Sequence, residues 1–294
     1  MSYGAWIMLT GSLVGVSCGI IGCFLILRKM AMLADAISHT VLLGIVLAYL
    51  VSHSLEGIYM LVGAGIIGLL TAFLVQVLHS SGVQSDAAIG VVFTSLFAFG
   101  VILLSAFAGK VHLDVNHALM GEITFIPWNT LTIGGMDLGP SAVWMLGIVL
   151  IINLILIFLF YKEIKISSFD PAMATAIGIP VMFIHYLLMS MVSITTVASF
   201  DSVGAILVVA MLIVPGATAY LLTDKLLAML FISAVIGVIS AIGGYYAALV
   251  WNISISGSMA SIAGLIFAAT FILSPRYGLL SKLLARKSII TEQS

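Results

Sequence analysis

The sequence predicts an all-α polytopic transmembrane helical bundle of nine spans, or eight if one break lies inside a longer unit. Two observations carry that prediction. First, 63% of the residues are hydrophobic and 7% charged, against about 25% charged in soluble domains, and the mean hydropathy is +1.31. Second, the apolar residues come in runs of roughly 20, the length that crosses a hydrocarbon core, and the Lys and Arg residues fall between those runs.

The runs are read at 6–27, 33–52, 57–78, 87–108, 141–161, 181–199, 203–222, 226–250 and 257–274, within one transmembrane domain covering 1–294. The first lacks a basic segment before it and reaches spanning length, so it reads as a span and not as a cleaved signal. Its Gly11, Gly15 and Gly19 form a doubled small-xxx-small repeat, which lets helix backbones approach closely. Cys18 and Cys23, five residues apart, fit no zinc or redox motif and read as small packing residues. Residues 109–140 form an outer loop with room for a re-entrant or surface helix. The break at Ala198–Gly204 is the least marked. Pro215 and Gly216 should kink the seventh span, because Pro removes a helix hydrogen bond and crowds the preceding turn. In transporters such breaks line cavities; a purely structural kink is the alternative.

Charge sets the orientation. Arg28, Lys29, Lys162, Lys165, Lys225, Arg276, Lys282, Arg286 and Lys287 fall on one side of the nine-span layout, with Lys110 alone on the other. By the positive-inside rule that side is cytoplasmic, which puts the N-terminus outside and the tail 275–294 inside a plasma membrane. Glu56, Asp114, Glu122, Asp137 and Asp201 fall on the outer face. Such an acidic face concentrates cations, although loops need polar residues in any case. Lipid is the expected surrounding, and nucleic acid is not an expected partner.

The cytoplasmic loop 162–180 contains Ser168-Phe-Asp-Pro-Ala-Met-Ala-Thr-Ala-Ile-Gly178. It reads as a short helix capped by Asp170, with Pro171 at its first position and Gly178 at a left-handed stop. Phe169 and Met173 are free to make an apolar contact, as a docking element for a partner protein would.

Asp35 and His39 stand one helical turn apart in an otherwise apolar or weakly polar run. A carboxylate at the centre of a membrane helix costs about 2.5–3.5 kcal/mol on insertion scales, so an intramembrane Asp marks a functional site by default. Side chains at i and i+4 lie about 5–6 Å apart at their β-carbons and can grip one cation. Mixed carboxylate and imidazole donors suit Mn(II), Zn(II) or Fe(II). The bland alternative is an Asp–His pair that only ties helices together. Enzyme motifs are missing: the sequence has neither His-Glu-x-x-His nor Gly-x-x-x-x-Gly-Lys-Ser/Thr, and ahead of Gly109-Lys110 the first glycine position holds Leu104. Any ATPase driving transport is therefore another chain.

Three segments carry a resemblance. Arg28-Lys-Met-Ala-x-Leu-x-Asp35-Ala-x-Ser-His39-x-x-Leu-x-Gly44, the loop Phe169-Asp-Pro171-x-x-Ala174-x-x-x-Gly178, and Val203-Gly-Ala-x-Leu-x-x-x-x-Leu-x-x-Pro215-Gly-Ala-x-Ala219 resemble the membrane permease subunit of bacterial ABC importers for manganese and zinc. The similarity covers nearly the whole chain. It implies the type II importer permease fold, a homodimer with a second copy of itself, two ATPase subunits, and an extracytoplasmic metal-binding lipoprotein. Phe169, Asp170, Pro171, Ala174 and Gly178 would form the coupling helix, with Ala172 departing from the acidic residue often found there. Asp35 and His39 of both copies would hold the transported Mn(II) or Zn(II). No cofactor is expected to stay bound, and ATP would bind the partner subunit.

An outer cluster of His112, Asp114, His117 and Glu122 resembles the manganese-type members. It reads as a transient metal-entry site or as a hydrated loop that contacts the lipoprotein, with His53 and Glu56 on the same face. His79 and His185 read as ordinary interfacial residues. The function expected is a permease subunit of an ATP-driven importer, with manganese as the cargo. The alternatives are a zinc or iron importer of the same family, and an ATP-independent or proton-coupled carrier in which Asp35 and His39 relay protons. A membrane-embedded metalloenzyme would need a nucleophile or base near the metal, and none stands at suitable spacing.

Overall fold

Helix α1, Tyr3–Leu27, is the axis of the fold. Its glycine repeat decides what it packs against: a Cβ on Gly15 would lie 2.9 Å from the Cα of Gly237, and one on Gly19 would lie 2.7 Å from Ser233 Oγ. Backbones touch along this seam, as the small-xxx-small repeat predicts.

The computed structural model describes residues 2–53, 57–107, 123–133 and 136–274. Among them nine helices are long and apolar enough to cross a membrane. These are α1, α2 (Met32–Ser52), α3 (Gly57–Ser80), α4 (Ser85–Phe107), α5 (Ser141–Leu159), α8 (Val181–Val203), α9 (Ala205–Leu222), α10 (Leu226–Trp251) and α11 (Ile255–Leu273). The shorter α6 (Tyr161–Phe169) and α7 (Pro171–Ala176) lie between α5 and α8.

Helices α1, α9, α10 and α11 pack together, α2 packs on α3 and α4, and α8 touches members of both groups. The burial pattern follows: 72% of the apolar window of α1 is inside the protein, against 22% for α4, α5 and α11, whose remaining apolar surface is left for lipid. Lipid tails are as apolar as leucine, so close packing and interhelical hydrogen bonds hold such helices together. Thr71 Oγ1 donates to Thr40 Oγ1 at 2.9 Å, Asn153 Nδ2 to Thr195 Oγ1 at 2.7 Å, and Ser193 Oγ to the Gly65 carbonyl at 3.3 Å. Each bond of this kind is worth about 0.6 kcal/mol. Cys18 and Cys23 are free and buried, in keeping with their reading as packing residues.

The break near residue 200 is narrower than the sequence suggests. Helix α8 runs on to Val203 and α9 starts at Ala205, with Gly204 alone between them at φ 82°. That left-handed backbone favours glycine, and it makes two helices of what might have been one unit. Pro215 and Gly216 lie inside α9, which is assigned as one helix, and both are buried. Gly216 faces α1, where its Cβ would lie 3.1 Å from the Cys23 nitrogen. Pro215 cannot donate the helix hydrogen bond.

In the loop 109–140, residues 109–122 lie outside the described residues, and the described part holds a 3₁₀ turn, Ile126–Trp128, and a β-hairpin of β1 (Thr130–Ile133) with β2 (Met136–Pro140). Thr130, Thr132 and Ile133 are β-branched and suit a strand, and Gly134-Gly135 between the two runs is a hairpin signal. The loop 162–180 matches the capped helix read there and adds to it. Asp170 Oδ1 accepts from the Met173 N–H at 2.9 Å, Pro171 opens α7, and Gly178 has φ 84°. Helix α6 precedes it, unforeseen.

Candidate functional site

The pair singled out by the sequence is a pair in space. Asp35 Oδ1 lies 3.5 Å from His39 Nε2, and each side chain is 35% exposed. Two donors held about 2.1 Å from one ion, at 90–109° to each other, stand about 3.0–3.4 Å apart. The observed gap lies just above that range and is longer than a good hydrogen bond.

The pair lies toward the start of α2. Helix α2 starts at Met32 after Ala31, which supplies no side-chain cap, and Asp35 lies in its first turn. The carboxylate therefore sits near the positive end of the helix dipole, where a negative charge gains about 0.3–1 kcal/mol, and not at the helix centre. His39 lies about 10 Å along the axis from Met32. The pair is therefore nearer the end of α2 that follows Arg28 and Lys29.

Helix α4 completes the surroundings. The His39 ring lies 5.6 Å from that of Phe93 and 5.9 Å from that of Phe97, centroid to centroid. These two rings, one turn apart, restrict the imidazole and keep water from part of it. Sequence reasoning missed them, because an i,i+4 aromatic pair on an apolar helix looks like lipid-facing surface. Among the described residues no group of three or more His, Cys, Asp or Glu side chains is placed to hold a metal. Asp35 and His39 are the two donors that the described residues bring together here.

Other expected residues are placed apart from the pair. His53 ends α2 at φ 50°, about 21 Å along the helix from His39. His112, Asp114, His117, Glu122 and Glu56 lie outside the described residues, as do the tail 275–294 and the side chains of Asp137 and Asp201. His79 is exposed, with Nδ1 3.3 Å from the Val83 carbonyl. His185 is not the ordinary interfacial residue expected: it is buried, with Nδ1 3.3 Å from Arg28 Nη1.

At the same end of the bundle as Arg28, the segment around α7 offers an apolar ridge. Phe169, at the end of α6, and Met173 and Ile177, one turn apart along α7 and its C-cap, are 56%, 58% and 55% exposed. Ala174 on the inner side is buried. Ile177 belongs to this ridge by its spacing, a signal that the sequence reading did not use.

Comparison with known proteins adds to the geometry. Residues 2–274 match the ABC 3 transport family. The manganese transport system membrane protein MntD of Bacillus subtilis is 64% identical over 294 residues, the whole of both chains. The zinc transport system membrane protein TroD of Treponema pallidum is 43% identical over 284 residues, 96% of this chain and 77% of that one. Among solved structures, PsaBC from Streptococcus pneumoniae in complex with Fab superposes with a TM-score of 0.78 at 33% identity, covering 96% of this chain and 95% of that one.

Proposed function

The chain belongs to the ABC 3 transport family, and from that premise we propose that it is the membrane permease of an ATP-driven importer of a divalent transition metal, manganese foremost. The carrying observation is the Asp35–His39 pair, a half-exposed carboxylate and imidazole 3.5 Å apart. Two copies facing each other across a two-fold axis bring four donors to one ion. Two carboxylates among them balance the charge of a divalent cation.

A metal-binding lipoprotein delivers the ion to the outer mouth. The paired sites hold it briefly, and release goes to the cytoplasm when ATP-driven closure of two partner subunits reorients the bundles. The sequence carries no phosphate-binding loop, so ATP hydrolysis belongs to those partners. The Phe169–Ile177 ridge is their docking element. Arg28, Lys29, Lys162, Lys165 and Lys225 put this end in the cytoplasm, by the positive-inside rule.

Manganese is favoured by the relative named for manganese transport at 64% identity. A zinc reading has support of its own, from the relative named for zinc at 43% and from the rise in affinity of nitrogen and oxygen sites from Mn(II) toward Zn(II). Uptake of radioactive manganese and zinc by the complex reconstituted with its binding protein separates them. ATP-dependent manganese accumulation is expected. Zinc accumulation without manganese replaces the cargo, and uptake without ATP overturns the importer reading.

Two further outcomes are expected. Metal binds carboxylate and imidazole donors only in their deprotonated forms, so manganese retention by the purified complex should be weaker in acid. Affinity that stays level into acid would exclude this pair as the ligands. At the docking ridge, Asp170→Ala removes the α7 cap, at a cost of about 1 kcal/mol, and Phe169→Asp puts a charge on the apolar face. Both should reduce co-purification of the ATPase subunit while leaving metal binding intact. An unaltered complex counts against docking here.

A further inference from the structure

Arg28 is absorbed neither by the metal pair nor by the docking ridge, yet it lies between them. It is the C-terminal cap residue of α1. The helix closes in a Schellman arrangement, with the Lys29 N–H donating to the Ile26 carbonyl at 3.0 Å and the Met30 N–H to the Leu25 carbonyl at 2.9 Å. Lys29 takes the left-handed position at φ 58°, a place that glycine usually fills. The turn from Arg28 to Ala31 is therefore tight, and the start of α2 is fixed to the end of α1.

The side chain points the other way. Nη2 donates to Ser167 Oγ at 2.8 Å, Nε donates to Ser168 Oγ at 3.2 Å, and Nη1 lies 3.3 Å from His185 Nδ1. Arginine has no acceptor, so Nδ1 of His185 accepts and the ring is the neutral form with its proton on Nε2. Ser167 donates its own proton to the Ile164 carbonyl at 3.2 Å, which leaves its lone pairs for the guanidinium. Ser167 and Ser168 end α6 just before Phe169 and the α7 cap Asp170. One planar group thus joins the end of α1, the residues leading into the docking ridge, and α8. Seven residues beyond Arg28 in the chain comes Asp35.

We infer that Arg28 is a positioning residue that carries movement of the docking segment to the metal pair: the guanidinium ties Ser167 and Ser168 to the end of α1, and the closed turn passes that displacement into α2. The inference rests on the reading of the α7 ridge as the ATPase contact. The geometry favours a link over a simple anchor. An anchor would need one partner, whereas here three directional bonds fan out from a rigid fork to two elements, so a shift of either element drags the other or breaks the bonds. Lysine, a point charge on a flexible stem, cannot reproduce the fork.

The test is the ratio of manganese imported to ATP hydrolysed by the full complex in vesicles. Arg28→Gln should keep the ATPase subunit bound and hydrolysing while the ratio falls about tenfold, within the usual range of coupling between sites. Arg28→Lys should not restore it, and the paired change Ser167→Ala with Ser168→Ala, which keeps the guanidinium and removes its two hydroxyl acceptors, should lower the ratio in the same direction. An unchanged ratio in the serine variant overturns the inference even if Arg28→Gln fails to assemble. So does a fall in transport and hydrolysis together at constant ratio. The two readings fail separately: if Asp170→Ala leaves the ATPase attached, the docking reading falls, and if it detaches the ATPase while the Arg28 variants keep a normal ratio, only the link falls.

Discussion

Replacing Asp35 by alanine is expected to abolish metal accumulation in a complex that still assembles with its ATPase. Each copy then offers one imidazole, and the paired site drops from four donors to two with no negative charge. A divalent ion in a half-buried site surrounded by Phe93 and Phe97 would lack the counter-charge that offsets its lost hydration. Loss of even an outer hydrogen-bond partner of a metal ligand typically costs about 10–100-fold in affinity or activity, so removal of a ligand that also carries the charge should exceed that. Asp35→Asn separates charge from shape. It keeps an oxygen at the same place, and if the site works as argued it should be nearly as defective as alanine. Uptake is read against co-purification of the ATPase subunit, so that a folding defect is not mistaken for a lost ligand. Normal uptake by either variant would remove Asp35 from the transport site.

How far the sequence foretold these features depends on how local their physics is. The α7 cap was legible because Asp170, Pro171 and Gly178 act within a few residues of themselves, and the Asp170 bond to the Met173 N–H spans three positions. The spans were legible because a run of apolar residues reports its own length. The start of α2 was legible to within one residue, at 33 against Met32, although no capping side chain marks Ala31; what went unused was that this start puts Asp35 in the first turn. The Gly134-Gly135 signal for a hairpin was present in the sequence and went unused, outweighed by the expectation of helix in an apolar chain. The partners of His39 and Arg28 were out of reach in principle. Phe93 and Phe97 meet His39 only through the packing of α2 on α4, and Arg28 meets Ser167, Ser168 and His185 across 139 to 157 residues of chain. Nothing in the local pattern of either side names the other.

The same distinction makes Gly22 the position where the smallest change should do the most damage to the fold. Gly11, Gly15 and Gly19 stand out as a repeat, whereas Gly22 is off their register, and yet it has the closest neighbour: a Cβ there would lie 1.7 Å from the Leu212 carbonyl oxygen and 2.8 Å from its carbon. Both atoms belong to the backbone of α9, so no side chain can rotate away. Gly22→Ala must push α1 from α9, and α1 also carries α10, α5 and α8, so the displacement is shared by the most buried helix of the bundle. Overpacking by one methyl in a close-packed interior costs about 1–3 kcal/mol where side chains can yield; with backbone against backbone the cost should reach or exceed the top of that range. Gly147→Ala is the control, because nothing lies within 4 Å of a Cβ on Gly147, and alanine there gains about 0.8–1 kcal/mol of helix propensity. Thermal unfolding of the purified permease complex should show a large drop in midpoint for Gly22→Ala and an unchanged or raised midpoint for Gly147→Ala. Equal midpoints for the two variants would mean that α1 and α9 have slack between them, and that the α1 seam is not where the bundle is held.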